Sequence, residues 1–117
     1  SAQVEQSLKV ANKLKNNNID VEVIDLLSIV PMDIETICSS LSKTKRLLII
    51  DEDYLSFGIS GEIITRVIEN LGINNIKQIE RIGNPDIPVP AAKSLEELTI
   101  PNLISIENKI IEMSKSF

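Results

Sequence analysis

Three consecutive acids, Asp51, Glu52 and Asp53, follow directly on the aliphatic run Leu47 to Ile50. The carboxyl end of a strand is where open α/β sheets place ligands, and oxygen donors suit a hard cation such as magnesium. Successive strand residues point to opposite faces, so only Asp51 and Asp53 can converge. Surface acids or an interface cluster are the simpler reading. A second motif, Phe57-Gly-Ile-Ser-Gly-Glu62, sits between that strand and a helical pattern, where glycine-rich loops can cradle phosphate on helix amides. It lacks the dinucleotide spacing and the lysine of a P-loop. Glu62, in the helix's first turn, already complements the dipole and would repel a bound anion. A tight strand-to-helix turn fits better.

The other reactive side chains are isolated. Cys38 has no histidine and no second cysteine to work with, and reads as an inert, partly buried thiol. Serines are plentiful, but with no histidine in the chain a Ser/His pair cannot exist. Lys43, Lys45 and Arg46 read as a solvated turn ahead of a strand. None of these groups names a reaction.

Composition points the same way. The 117 residues suit one domain, and the hydrophobic fraction of 43%, mostly Ile, Leu and Val, supplies a packed core. A net charge of −5 with interleaved signs argues against nucleic acid or anionic membrane as a partner. No apolar run has the length of a membrane span, and no signal-peptide pattern opens the chain. One cysteine cannot form an internal disulfide, which suits a reducing cytoplasm or organelle matrix. The chain opens without a Met and directly in a helical pattern, as a segment of a longer subunit would.

The elements that must position these residues follow from hydrophobic periodicity. Val4, Leu8, Ala11 and Leu14, with Val10 beside them, predict a helix that Asn16 to Asn18 terminate. Ile19 to Leu26 is β-branched and reads as a strand buried on both faces. Pro31 and Asp33 open a helix whose inward stripe is Ile34, Ile37 and Leu41, with Asp33 as cap. Leu47 to Ile50 is a second strand, closed by the three acids. Ile63, Ile64, Val67, Ile68 and Leu71 form a strongly periodic helix with Gly72 as C-cap. Ile76 to Ile82 is a third strand. Asn84 to Pro90 holds three prolines and must be extended. Ser94 and Glu97 stand at capping-box spacing, and Pro101 starts a last helix with Leu103, Ile106, Ile110 and Met113 inward. This alternation implies βαβ units, a mostly parallel sheet and helices on both faces. Three strands make a thin sheet, to be completed by a strand ahead of Ser1 or by the extended segment near Val89 as an edge strand.

Read in order, the punctuation is more specific than any one motif. Val21-Glu-Val-Ile-Asp-Leu26 followed by Pro31-Met-Asp-Ile-Glu-Thr-Ile37 resembles the first strand-to-helix junction of the transketolase carboxy-terminal domain family. Thr44-Lys-Arg-Leu-Leu-Ile-Ile-Asp-Glu52 and Gly58-Ile-Ser-Gly-Glu-Ile63 look like its second strand, glycine turn and helix. Arg81-Ile-Gly-Asn-Pro-Asp-Ile-Pro-Val-Pro90, with Leu95-Glu96 and Ile100-Pro101 behind it, is similar to the beta subunits of thiamine-diphosphate-dependent 2-oxoacid dehydrogenases. Transketolase and deoxyxylulose-phosphate synthase match this last segment less well. Two departures stand out: Leu27 and Val30 are aliphatic where basic residues are common, and Ser60-Gly61 replaces Gly-Ala. The first removes charge-assisted contacts with a neighbouring subunit; the second is sterically mild.

The resemblance implies a three-layer αβα sandwich over residues 1–117, mostly parallel with one antiparallel strand. It implies an assembly domain of an oxidoreductase that decarboxylates pyruvate or a branched-chain oxoacid and passes the acyl group to lipoyl. The enzyme's thiamine diphosphate and magnesium would be held outside this chain, with no catalytic, cofactor or metal residue within it. The implied partners are an alpha subunit, a second beta subunit and the lipoyl acyltransferase component. Asp51, Asp53, Asp86 and Phe117 are the candidate partner-facing residues. A transferase of the transketolase or synthase type, and an independent small-ligand module, are the competing readings.

Overall fold

The computed structural model describes residues 2–26, 32–54, 59–84 and 102–115. Helix α1 spans Ala2–Lys15 and α2 spans Ile34–Thr44, followed by strand β1, Arg46–Tyr54. Helix α3 (Ser60–Leu71), a 3₁₀ turn (Ile73–Asn75), strand β2 (Gln78–Asn84) and helix α4 (Leu103–Lys115) complete the order. β1 and β2 pair in parallel, Arg46 opposite Gln78 through Ile50 opposite Ile82. Parallel neighbours need a crossover, and α3 supplies it. The register breaks between Ile50 and Tyr54 and resumes at Tyr54 opposite Asn84. The acids expected to close the strand are therefore part of it.

Side-chain alternation divides the core between two faces of the sheet. Leu47 and Ile49 of β1 and Ile79 of β2 pack with Ile37, Leu41, Ile63 and Val67 from α2 and α3. Ile50 and Ile82, of the opposite parity, pack with Val10, Leu14 and Ile106 from α1 and α4. Helices thus cover both faces, which is the expected three-layer α/β arrangement. On the α1–α4 side, Lys13 Nζ lies 2.9 Å from Glu107 Oε1, an exposed pair of the sort that adds at most about 1 kcal/mol.

Local chemistry explains where the helices start and stop. Asp33 caps α2, its Oδ1 accepting from the Thr36 amide at 3.2 Å and its Oδ2 from the Thr36 hydroxyl at 2.7 Å. Gly72 ends α3 at φ 82°, its amide donating to the Ile68 carbonyl. Asn18, at φ 61°, lies in the turn that ends α1. At α4 the cap is Asn102: its Oδ1 accepts from the Ser105 amide at 2.9 Å, while its own amide donates to Ser105 Oγ at 3.0 Å. The helix accordingly begins one residue past the Pro101–Asn102 junction.

Four expectations require correction. Residues 19–26 form no strand. Ile19 packs on the α1–α4 cluster and Ile24 and Leu26 on the α2–α3 cluster, so the segment is fixed by side chains on both faces while its backbone stays out of the ladder. The sheet among the described residues has two strands, not three. Leu8, assigned to the inward stripe of α1, is 53% exposed; the buried face runs through Val10 and Leu14, with half-buried Ser7 between Val4 and Val10. Ser7 can occupy that face because its hydroxyl donates to the Gln3 carbonyl at 2.7 Å. Leu103 is 40% exposed at the head of α4, where burial begins with Ile106. The capping pair Ser94–Glu97, Leu27, Val30 and the candidate edge strand near Val89 lie outside the described residues.

Candidate functional site

The carboxyl-terminal half of β1 meets the amino terminus of α3 and the middle of β2 at three polar residues. Asp51 shares the parity of Leu47 and Ile49, so its side chain enters the α2–α3 face, where it is 7% exposed. Its Oδ2 accepts from the Ser60 amide at 3.3 Å. The residue that flanks α3, Ile59, has no side-chain acceptor for this purpose. Asp51 therefore supplies from a neighbouring strand the cap that the local sequence lacks, and its charge lies at the positive end of the helix dipole. Ser60 is fully buried, and its Oγ accepts from Arg81 Nη1 of β2 at 3.4 Å. Strand, helix and strand are stitched through one serine.

That arrangement bears directly on anion binding. The amino terminus of α3 is served by the Asp51 carboxylate and carries Glu62 in its first turn, paired with Arg66 at 2.8 Å. Two negative side chains at these amides repel a diphosphate. Among the described residues no group of three or more Asp, Glu, Cys or His could hold a metal ion. Among the described residues, this helix terminus does not suit a diphosphate and no metal-ligand cluster accompanies it. Asp51 is buried at 7% exposure and caps α3, whereas the sequence suggested a surface acid or a member of an interface cluster. Its parity with Ile49 was the signal that could have revealed this. Asp53 lies in β1 with its side chain outside the described residues, as Asp86 and Phe117 lie outside them altogether.

Elsewhere, Glu22 ties the 19–26 segment to α2. Its carboxylate accepts from Lys43 Nζ at 2.7 Å and from the Ser40 hydroxyl. The Lys43 hydrogen bond, then the Ser40 one, hold the carboxyl below its usual value. Lys43 is solvent-exposed, as the sequence suggested, but it lies in the last turn of α2 and pairs with Glu22 there. Lys45 takes the left-handed conformation at φ 66° and ends α2, its amide donating to the Leu41 carbonyl at 2.8 Å. Cys38 is half-buried in α2, and burial pushes its thiol up, away from the reactive thiolate. A cleft of about 740 Å³ is lined both by the 18–26 segment and by Arg46–Asp51, with Leu41, Ile106 and Met113 among its apolar walls.

The sequence model of the transketolase C-terminal domain matches residues 1–106, nearly the whole chain. The chain belongs to that family. Among curated proteins this transketolase C-terminal domain is 39% identical over 115 residues to the pyruvate dehydrogenase E1 component subunit beta of Rickettsia felis, covering 98% of the chain and 34% of the relative. It is 41% identical over 100 residues to the mitochondrial subunit beta of Pisum sativum, covering 86% of the chain and 28% of the relative. The corresponding Saccharomyces cerevisiae protein is 34% identical over 112 residues, covering 94% and 31%. The domain therefore spans about a third of the length of the relatives it matches. No helix among its described residues is long and apolar enough to cross a membrane.

Proposed function

We propose that this domain is the assembly module of the beta subunit of a 2-oxoacid dehydrogenase decarboxylating component, with pyruvate as the substrate of the whole enzyme. The observation that carries the reading is 39% identity over 98% of the chain to a pyruvate dehydrogenase E1 subunit beta. The inward-turned Asp51, which caps α3 from β1, and the acid-flanked start of that helix support a structural role. In this reading the whole enzyme uses thiamine diphosphate and magnesium held by other domains. Its working partners are an alpha subunit, a second beta subunit and a lipoyl acyltransferase, in the cytoplasm or an organelle matrix. Asp53, Asp86 and Phe117 face those partners, and Asp51 acts from inside by fixing α3.

The test is co-expression of the beta polypeptide carrying this domain with its alpha subunit, with and without residues 1–117. Sedimentation and pyruvate-dependent acylation of lipoyl are the readouts. The intact polypeptide is expected to form a stable alpha–beta assembly with activity, and the truncated one to lose both. Assembly that survives the deletion unchanged would sink the reading.

A further inference from the structure

We draw no further inference here: the strongest candidate, the cleft between residues 18–26 and the Arg46–Asp51 stretch of β1, carries nothing, because its walls belong to the fold already described and no residue in it singles out a ligand.

Discussion

Asp51 and Ser60 show how a single hydrogen bond can decide the role of a residue. A buried amide left without its acceptor costs about 1–3 kcal/mol. Asp51→Ala is therefore expected to lower stability by about that amount in urea denaturation, and Asp51→Asn, which keeps a carbonyl oxygen, by less. Equal losses in the two variants would show that the acceptor does not matter. Gly61 offers the opposite case. A Cβ built there meets nothing within 4 Å, and alanine is the better helix former, so Gly61→Ala should stabilise by about 0.5–1 kcal/mol. Acid should act through Glu22 and Asp33. Glu22 is held below its ordinary 4.5 by Lys43 first and then Ser40, and Asp33 below its ordinary 3.8 by the Thr36 hydroxyl and then its amide. Depressed carboxyls stabilise the fold above their unfolded pKa, and that contribution is lost as pH falls through the lower folded value. Stability should accordingly fall below about pH 4.5, and NMR titration should place both midpoints below the ordinary carboxylate values. In Lys43→Met the Glu22 midpoint should move up; an unmoved midpoint would remove Lys43 as the cause.

At the scale of elements, periodicity located all four described helices because an i, i+3, i+4 stripe is a property of the chain itself. The cap at Asp33 and the stop at Gly72 were legible for the same reason: each works within a few residues of its own position. The 19–26 segment was not. Its β-branched composition fits a strand, but strand hydrogen bonds belong to two partners, and here its side chains reach both core clusters while its backbone stays out of the ladder. Amides 21–26 should exchange with deuterium well before those of Leu47 to Ile50, which lie in the paired stretch of β1. Protection equal to that of β1 would place the segment in the sheet. The cap at Asn102 was missed because Pro101 is itself a common first helical residue, and the Asn102–Ser105 reciprocity shows only in the folded turn.

The whole molecule is a thin sheet between two helical layers, each with its own core cluster. Ile63 belongs to one cluster and Ile106 to the other. Ile63→Val and Ile106→Val should each cost about 0.5–1.5 kcal/mol. The two residues belong to separate clusters, so the double variant should lose the sum to within about 0.5 kcal/mol. A larger departure in thermal unfolding would mean that the two cores communicate through the strands. The chain's sequence by itself determined the helices, the cap at Asp33 and the stop at Gly72, the αβα class and the family, because hydrophobic period and turn residues act over a few positions. Only the tertiary structure decided that Asp51 turns inward to cap α3, that Ser60 joins it to Arg81, and that Ile19 to Leu26 stays out of the ladder. Each of these depends on groups brought together from separate elements, and the spacing of residues along the chain does not encode which elements meet.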